Sequence, residues 1–366
     1  MSMHIGIVGG GQLGRMLAQA GAPLDMRFTF LDPSTQACAA SQGVHLCADW
    51  DDEEAHQALI EASDVITFEF ENVSTMALTQ LAEQRPAFPP AKALETARDR
   101  GAEKSLFQSL DIAIAPIALI ESQDDLDRAV AEIGLPAVLK TRTLGYDGKG
   151  QKVLRSADDV PGSVAELGDV PLILEGFIDF DHEVSAIAVR GRDGEVRVWP
   201  LSRNEHRQGI LHRAEPQPDH PLYARAADYA TRVLDALGYV GVMAFEFFVT
   251  RDGELLANEI APRVHNSGHW SIEGATTSQF ENHLRAVAGL PLGDTTRLVP
   301  CAMLNIIGAF PDRDAVLSVA GARLHDYDKA PRPGRKIGHV TVLAPDEATL
   351  AERVAAVEAL LVNDLG

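Results

Sequence analysis

A pair of apolar segments joined by a tight turn constrains the fold of this chain most strongly. Residues 242–249 and 254–260 flank the sequence RDG at 251–253. An Asp-Gly pair between such segments predicts a two-residue β-hairpin turn. That turn would place Glu246 directly opposite Glu259, with their Cβ atoms roughly 5 Å apart. A three-residue bulged loop would shift this register.

The two acidic side chains need an explanation, because like charges facing each other destabilise a sheet. Either one carboxyl group is protonated, or a basic side chain lies between the two, or a hard cation bridges them. Magnesium binds one or two carboxylates together with substrate phosphates. We favour magnesium, with Glu246 and Glu259 as its ligands. The alternative is a salt-bridged hairpin that uses Arg251 or Arg263.

A glycine-rich segment, KTRTLGYDGKGQKVL at 140–154, lies between two further apolar runs. It does not match the pattern G-x-x-x-x-G-K-[ST]. Its flanks, 135–141 and 150–154, predict antiparallel strands, so the glycines would form a loop whose N–H groups cover a triphosphate. Lys140 on the first strand would reach the α-phosphate. A mobile surface hairpin is the alternative interpretation.

The N-terminus predicts a strand, a glycine turn and a helix, which is typical of a parallel α/β sheet. His4–Val8 is the strand, residues 9–14 (GGGQLG) match G-x-G-x-x-G, and Asp32 ends a second strand. By pattern alone this is a dinucleotide fingerprint. The same turn also packs other doubly wound domains. A turn that serves another phosphate ligand, or none, is therefore favoured over NAD(P).

The charge of the chain restricts its partners. The net charge is −21 over 366 residues, which disfavours nucleic acid and anionic membrane surfaces. An anionic substrate would need local clusters of Lys and Arg. The odd count of three cysteines argues against a disulfide framework, and no apolar run approaches the ~20 residues of a membrane span. We expect a cytoplasmic protein with no membrane partner.

Several blocks together resemble the ATP-grasp superfamily and, within it, the N5-carboxyaminoimidazole ribonucleotide synthetase family of purine biosynthesis. The superfamily order is a strand lysine, a glycine loop, an E-x-x-[IV] segment, then Glu and Asn-Glu on adjoining strands. The blocks that carry the closer resemblance are GGGQLGRML, GYDGKGQ, YVGVMAFEFF, NEIAPRVHNSGHWSIEGATTSQFE and YDKAPRPGRKIGHV. They extend from Ile5 to about Val342.

The resemblance implies a chain of α/β and α+β class, with an ATP-grasp fold between two smaller domains. The first would be Rossmann-like (a pre-ATP-grasp domain), and the last small and β-rich. The proline-rich sequence RPAFPP marks the first boundary. The expected domains are 1–91, 92–294 with a mobile subdomain at about 113–178, and 295–366.

The resemblance also implies a reaction. ATP phosphorylates bicarbonate to carboxyphosphate, and the carboxyl unit passes to the exocyclic amine of 5-aminoimidazole ribonucleotide. The products are N5-carboxyaminoimidazole ribonucleotide, ADP and phosphate. Mg²⁺ would be required, whereas NAD(P) and biotin would not. Family members usually form homodimers.

Residue by residue, the resemblance implies an ATP site and a metal pair. Glu183 would bind the ribose hydroxyls and His206 would lie near the nucleotide, although an exposed strand charge and an ordinary loop histidine are the alternatives. The metal ligands would be Glu246 and Glu259. The implied ATP-binding residues are Arg100, Lys140, Gly145, Tyr146, Asp147, Gly148, Lys149, Gly150, Gln151, Glu175, Gly176, Phe177, Ile178, Glu183, His206, Asn258 and Glu259.

For the second substrate, the resemblance implies Arg263 and Lys336 as catalytic residues. Arg263 would bind bicarbonate and carboxyphosphate in bidentate fashion, or else serve as a structural partner of the two glutamates. Lys329, Arg332, Arg335 and Lys336 would bind the 5′-phosphate, or else form a solvated basic face. The implied substrate-binding residues are Gly11, Gln12, Leu13, Glu69, Glu71, Tyr146, Asp147, Lys329, Arg335 and Lys336, while the roles of His265, Asn266 and Ser267 are not separated.

Three other functions compete with the carboxylating one. A formate-using glycinamide ribonucleotide transformylase shares the first turn and the hairpin, but NSGHW and RPGRKIGH favour carboxylation. An NAD(P) oxidoreductase rests on the glycine fingerprint alone and leaves the two glutamates unexplained. A non-catalytic nucleotide-binding regulator conflicts with the filled catalytic positions.

Overall fold

The computed structural model describes residues 2–143, 150–362 and 364–365. The chain forms two compact units, and each is described by itself. The first comprises residues 1–94, 185–245 and 261–366, and the second comprises residues 95–184 and 246–260. The predicted division into three domains at residues 91 and 294 stays a prediction.

The N-terminal segment builds a four-stranded parallel sheet of order β3-β2-β1-β4. Ile7 of the central strand packs in one cluster with Leu17, whereas Val8 packs in another with Leu59, because successive residues of a strand face opposite sides. The predicted parallel sheet is confirmed. Its elements are β1 (His4–Val8), α1 (Gln12–Gly21), β2 (Arg27–Leu31), β3 (Val44–Leu46), α2 (Glu53–Ala62), β4 (Val65–Phe68), α3 (Thr75–Gln84) and then α4 (Ala91–Arg98).

The second unit contains a four-stranded antiparallel sheet of order β5-β8-β6-β7. Lys140 pairs with Gln151 across β6 and β7, so the predicted antiparallel strands beside the glycine-rich segment are confirmed. Residues 144–149 between them lie outside the described part of the chain. The elements are α5 (Arg100–Ser109), β5 (Ile117–Ile120), α6 (Gln123–Ile133), β6 (Ala137–Thr141), β7 (Gln151–Leu154), α7 (Ser163–Glu166) and β8 (Leu172–Gly176).

The rest of the chain adds a largely antiparallel sheet to the first unit and a hairpin to the second. From Ser185 onward, the sheet of the first unit has the order β9-β11-β12-β15-β17-β16. Its core includes the fully buried Trp199 and Trp270. The strands are β9 (Phe180–Arg190), β10 (Val196–Val198), β11 (Leu201–Arg207), β12 (Ile210–Gln217), β13 (Gly241–Thr250), β14 (Leu255–Ala261), β15 (Cys301–Ile307), β16 (Ala322–Asp326) and β17 (Lys336–Leu343). The helices are α8 (Tyr223–Ala236), α9 (Ser271–Gly274), α10 (Gln279–Ala288), α11 (Arg313–Ser318) and α12 (Glu347–Leu360).

The hairpin of β13 and β14 is present, but the predicted two-residue turn is wrong. The Thr250 N–H donates to the Glu254 carbonyl at 2.9 Å, and the Gly253 N–H donates to the Thr250 carbonyl at 3.0 Å. Gly253 has φ +84°, so it supplies the left-handed residue that closes a three-residue loop. The register at the turn is shifted by one residue. Direct opposition of Glu246 and Glu259 therefore no longer follows from the turn.

The charged helical region predicted at 92–110 consists of two helices that are separated by Asp99. The Asp99 carboxylate accepts hydrogen bonds from the N–H groups of Gly101 (2.8 Å) and Ala102 (3.1 Å), which caps α5. The same carboxylate forms a two-point ion pair with Arg142, at 3.1 Å to Nε and 2.6 Å to Nη2. Asp99 therefore fixes the start of α5 to the end of β6.

We predict that Asp99→Ala lowers the free energy of unfolding by about 1–3 kcal/mol, because it removes a helix cap and an ion pair. Burial would raise the pKa of Asp99, but the hydrogen bonds and charge of Arg142, with the two backbone bonds, lower it overall. A lowered pKa stabilises the fold above the unfolded value of about 3.9. The destabilisation caused by Asp99→Ala should thus be largest above about pH 4 and should become smaller as the pH falls below that value.

Urea unfolding from pH 3 to pH 8 would measure this difference. Asp124→Ala is the matched control, since Asp124 is an exposed acid in the first turn of α6, whose cap is Ser122. Equal destabilisation by the two variants would contradict the assignment.

Candidate active site

The glycine turn of the first unit is filled by side chains of the protein itself. The Gly10 N–H donates to Asp32 at 2.7 Å. The N–H groups of Gly11 and Gly14 donate to the two carboxylate oxygens of Glu69, at 2.8 and 3.1 Å. Glu69 follows β4 and is 6% exposed. These amides are the donors that a dinucleotide pyrophosphate uses in a Rossmann turn, so the turn does not present them to a cofactor.

The glycines at this turn make room for Glu69. A Cβ atom on Gly11 would lie 2.6 Å from Glu69 Oε1, and one on Gly9 would lie 2.8 Å from Glu69 Cγ. Burial raises the pKa of Glu69, against the opposing effect of the two backbone hydrogen bonds. The glycine pattern in the sequence is therefore explained by the space that the Glu69 carboxylate occupies.

A cavity of about 280 Å³ opens beside this turn within the first unit. Its volume is close to the lower end of small-molecule sites, which span roughly 300–1,000 Å³. Many of the sequence-predicted substrate residues meet here. The lining residues are Gln12, Leu13, Glu69, Phe70, Glu71, Arg263, His265, Asn266, His269, Tyr327, Lys329 and Lys336.

Arg263 is held by Glu71 inside this cavity. Its Nη2 donates to Glu71 Oε1 at 2.8 Å, its Nε pairs with Oε2, and its Nη1 donates to the Val264 carbonyl at 3.1 Å. Burial would raise the pKa of Glu71, but the Arg263 charge and hydrogen bonds outweigh it and lower that pKa. At least three guanidinium N–H groups are thus committed within the protein. Glu71 as the partner was not anticipated, since the sequence suggested Glu246 or Glu259.

The basic cluster predicted at 329–336 divides in the structure. Lys329 and Lys336 line the cavity, and Lys329 donates to the Gln12 side chain at 3.1 Å. Burial and the nearby Arg335 charge lower the pKa of Lys329. The Arg335 guanidinium donates to the Ala330 carbonyl at 3.1 Å, and Arg332 is exposed. Neither arginine lines the cavity.

The structure separates three neighbouring residues whose roles the sequence left together. His265 and Asn266 line the cavity, whereas Ser267 is fully buried and its hydroxyl lies 2.8 Å from His265 Nδ1. Burial and the Arg263 charge lower the pKa of His265 well below its ordinary value. Burial also lowers the pKa of His269 to about 3. Both histidines are therefore neutral near pH 7, and the cationic groups of the cavity are Arg263, Lys329 and Lys336.

Phe70, His269 and Tyr327 are cavity residues that sequence reasoning missed. None of the three had received a role from the sequence, although His269 and Tyr327 lie inside blocks quoted for the family resemblance. Phe70 is 38% exposed, whereas His269 and Tyr327 are 1% and 2% exposed. The sequence carried no signal for Phe70, because alternation along an extended segment predicts it on the face opposite to Glu69 and Glu71.

The predicted nucleotide-binding residues lie mainly in the second unit. Lys140 on β6 donates to Glu175 Oε2 at 2.9 Å, and both side chains are largely buried. Burial would raise the pKa of Glu175, but Lys104 and Lys140 lower it overall. Arg100 donates to the Thr141 carbonyl at 3.0 Å. The structure thus gathers Arg100, Lys140 and Glu175 at the carboxyl end of β6.

In the segment predicted to hold adenine, residues 175–178, two backbone N–H groups already donate within the protein. The N–H groups of Gly176 and Phe177 donate to the carbonyls of Pro116 (2.9 Å) and Pro136 (3.1 Å), so other backbone groups of the segment must meet a base. The Phe177 side chain is 50% exposed and offers an apolar face. Glu183 is half-buried on β9, and Gly150 is a turn residue directly before Gln151, the first residue of the return strand β7. His206 lies on β11 of the first unit.

The acidic hairpin supplies oxygen donors of the kind that magnesium prefers. Glu246 and Asn258 are half-buried, and Glu259 is exposed. Within the described residues, no group of three or more His, Cys, Asp or Glu side chains is arranged to hold a metal ion. Two carboxylates and one amide are hard ligands, and they are too few to complete an octahedral shell without phosphate oxygens or water. By their chemical type, these donors therefore suit a magnesium ion that arrives with a nucleotide.

Two further charged residues that the sequence did not single out lie against this hairpin. Glu103 and Lys104 lie near the N-terminus of α5 and are 2% and 3% exposed. Burial raises the pKa of Glu103 to about 8, with Lys104 opposing this rise and Glu259 adding to it. Charged residues are almost never buried to this degree unless they are paired.

Some predicted residues lie outside the described part of the chain. These are Gly145, Tyr146, Asp147, Gly148 and Lys149 of the glycine-rich segment. Their proposed contacts with ATP and the second substrate stay predictions. Separately, across the residues that the structure covers, no helix has the length and apolar character that a bilayer crossing requires.

Three family profiles match consecutive parts of the chain. The ribonucleotide synthetase preATP-grasp domain matches residues 2–98, and the ATP-grasp domain matches residues 105–280. The phosphoribosylaminoimidazole carboxylase C-terminal domain matches residues 301–353.

Several known proteins are similar to this chain over nearly its whole length. An N5-carboxyaminoimidazole ribonucleotide synthase of Pseudomonas aeruginosa is 59% identical over 359 residues, which cover 98% of this chain and 99% of the relative. The crystal structure of the synthetase from Thermus thermophilus is 49% identical, with a TM-score of 0.94, and the match covers 98% and 99% of the two chains. A synthase from Aspergillus clavatus in complex with ADP and 5-aminoimidazole ribonucleotide is 31% identical, with a TM-score of 0.89 over 98% of both chains.

We predict that Gly11→Ala and Gly14→Ala have opposite effects on stability. At Gly11 the new Cβ would displace Glu69 and weaken both of its hydrogen bonds, which should cost about 1–3 kcal/mol. At Gly14, in α1, the nearest atoms would be at 3.4 and 3.5 Å, an ordinary contact. Alanine there should be neutral or add up to about 1 kcal/mol through helix propensity.

Urea unfolding of the two variants beside the parent chain would test this pair. If Gly14→Ala were the more damaging change, the glycines would serve close helix packing rather than the Glu69 carboxylate.

Proposed function

The chain belongs to the N5-carboxyaminoimidazole ribonucleotide synthase family, and we propose that it catalyses the ATP-dependent carboxylation of 5-aminoimidazole ribonucleotide by bicarbonate. The products are N5-carboxyaminoimidazole ribonucleotide, ADP and phosphate, as a step of purine biosynthesis. The observation that carries this conclusion is 59% identity over 98% of the chain. The predicted ATP-grasp ligase, its mixed α/β class and its flanking domains are confirmed by the matches to the whole chain and to its three parts.

Each of the two larger substrates has its own set of residues in this chain. The nucleotide set lies mainly in the second unit, where Lys140 lies on β6 and Arg100 donates to the carbonyl of Thr141, the last residue of that strand. The ribonucleotide set is the cavity of the first unit. A protein of net charge −21 repels phosphates in general, so the cations Arg263, Lys329 and Lys336 in one cavity support a phosphorylated substrate there.

The chemistry requires activation of bicarbonate before the amine can attack. A bicarbonate oxygen attacks the γ-phosphorus of ATP and ADP leaves, which gives carboxyphosphate. The exocyclic nitrogen of the ribonucleotide then attacks the carboxyl carbon, phosphate leaves with the C–O electrons, and the nitrogen loses a proton. The anionic carboxyphosphate is short-lived in water, so a positioned cation is the group that the chain must supply.

We assign that cation to Arg263. Its guanidinium is fixed by Glu71, so it does not need to reorganise when charge develops on the carboxyl group. Three N–H groups are committed to Glu71 and the Val264 carbonyl, so the plane of the guanidinium is fixed where it lines the cavity. Lys336 lines the same cavity and is the second catalytic residue.

The 5′-phosphate and the base of the ribonucleotide are assigned to the rest of the cavity. Lys329 and Lys336 supply charge for the phosphate, and Arg335 holds the segment between them through its bond to the Ala330 carbonyl. Gln12, which accepts from Lys329, fixes that ammonium beside the glycine turn. Glu69 acts through the turn rather than on the substrate, since both of its oxygens accept from backbone N–H groups.

Glu246 and Glu259, with Asn258 beside them, would hold Mg²⁺ together with the nucleotide. When it is bound, Mg²⁺ offsets the charge between the β- and γ-phosphates. The chain's own part is to present these hard donors on one hairpin. We also propose a homodimer in the cytoplasm, as the family resemblance implies, and the three free cysteines support a reducing compartment.

We predict that ADP release requires both bicarbonate and 5-aminoimidazole ribonucleotide. Purified protein with Mg²⁺ and ATP would be assayed with each substrate, with both and with neither, in buffers stripped of carbon dioxide. Release that ignores bicarbonate, or that proceeds with formate and glycinamide ribonucleotide, would overturn the assignment in favour of a transformylase.

We predict that Glu71→Gln lowers kcat/KM for bicarbonate by about tenfold to a hundredfold, because the amide cannot accept from both sides of the Arg263 fork. ADP affinity should stay within about twofold, since Glu71 belongs to the first unit. Because the pKa of Glu71 is lowered, its ion pair with Arg263 is fully formed above the ordinary carboxyl pKa of about 4.3. The pair is lost only as the pH falls below that value.

Steady-state kinetics with varied bicarbonate, from pH 6 to pH 9, would measure the effect. Glu61→Gln, which changes a helix-surface glutamate paired with Gln57, is the matched control. A bicarbonate response equal to that of the parent chain would remove Arg263 positioning from the mechanism.

A further inference from the structure

Two residues near the N-terminus of α5 hold the backbone of β14 on both sides of Glu259. Glu103 Oε1 accepts from the Ile260 N–H at 2.7 Å. The Lys104 ammonium donates to the Asn258 carbonyl. Two consecutive side chains thus fix the residue before Glu259 and the residue after it. All of these residues belong to the second unit.

The polar heads of Glu103 and Lys104 are buried and directed at this strand rather than at solvent. Burying polar groups costs free energy, and their hydrogen bonds offset that cost. Apolar side chains of similar volume could fill the same space without this cost, so stability alone does not explain two polar heads here. Their hydrogen bonds to the two backbone groups that flank Glu259 fix the position of the backbone at that residue.

Two further contacts fix β14 and α5 close to Glu259 and Lys140. The Ala257 N–H donates to the Ala113 carbonyl at 2.8 Å, so β14 is also tied one residue before Asn258. At its N-terminal end, α5 is fixed to β6 by the bond from Arg100 to the Thr141 carbonyl. A single helix therefore links the strand that carries Lys140 to the strand that carries Glu259.

We propose that Glu103 and Lys104 are positioning residues that hold the Glu259 carboxylate in the orientation needed for the metal ion of a bound nucleotide. The inference rests on the proposed function in taking Glu259 as a metal ligand. Neither residue touches the metal or the nucleotide in this role. Partners that orient a metal ligand typically change metal affinity by about 10–100-fold when they are removed.

The experiment measures the coupling between Mg²⁺ and ADP in the absence of turnover. Calorimetry gives the ADP dissociation constant with EDTA and with saturating Mg²⁺, and the ratio of the two values is the coupling factor. We expect Lys104→Met and Glu103→Leu to reduce that factor by about tenfold, while metal-free ADP affinity stays within about twofold. Glu103→Gln keeps an oxygen that accepts from Ile260, so it should retain the parent coupling.

A merely structural role predicts a different pattern. It would lower the temperature of unfolding in the same variants and leave the coupling factor unchanged. Lys152→Met is the matched control, because Lys152 on β7 of the same unit forms an ion pair with Glu166. Should Glu103→Leu fail to fold, Lys104→Met decides the question, since it preserves the length of the side chain. Coupling factors within about twofold of the parent value in the folded variants would overturn the inference.

Glu259→Gln separates this inference from the function on which it rests. If that variant loses the coupling while Lys104→Met and Glu103→Leu keep it, the metal assignment stands and the positioning role is wrong. If Glu259→Gln keeps the coupling, Glu259 is not the metal ligand, and the positioning role falls with that assignment.

Discussion

The carboxylate of Glu69 is the contact on which the first unit depends. It accepts from Gly11 and Gly14 and so joins the end of β4 to the start of α1. An unpaired amide in such a buried turn would cost about as much as a lost hydrogen bond. With the turn closed in this way, Gln12 and Leu13 line one side of the cavity. The chain leaving Glu69 then brings Glu71 to Arg263. Glu69 thus shapes one side of this cavity.

In the second unit, a helix makes the contacts that connect neighbouring strands. Asp99 caps α5 and pairs with Arg142, while Arg100, Glu103 and Lys104 reach the backbones of two different strands. In both units, acidic side chains that look like ligand-binding groups in the sequence accept hydrogen bonds from backbone N–H groups instead. Among the described residues, these acids therefore serve to hold the turn and the strand beside the proposed site residues.

Much of the fold followed from local patterns, because those patterns have local causes. Alternating apolar runs gave the parallel strands near the N-terminus and the two hairpins. The turn at 251–253 was misjudged because an Asp-Gly pair suits both a two-residue turn and a three-residue loop that ends in a left-handed glycine. Short-range signals do not decide between them.

The site was harder to predict than the fold, for a different reason. Lys329, Lys336 and Arg263 were identified through family motifs, and the structure places them in one cavity. The partner of Arg263 was not identified, because Glu71 lies 192 residues away in sequence and no spacing rule connects them. The same holds for Glu103 and Lys104, whose targets lie 157 and 154 residues further on. Long-range pairings of this kind are fixed by tertiary packing alone.

The internally filled glycine turn also bears on how such a chain can change over evolutionary time. Acquiring a dinucleotide at this position would first require the loss of Glu69, and that loss would leave buried amides without an acceptor before any cofactor was bound. Intermediate sequences would therefore be less stable than either end point. Glu69 therefore opposes the evolution of dinucleotide binding at this turn, although the glycine spacing that such binding requires is already present. Similar folds that bind dinucleotides and those that do not are thus separated by a stability barrier as well as by function.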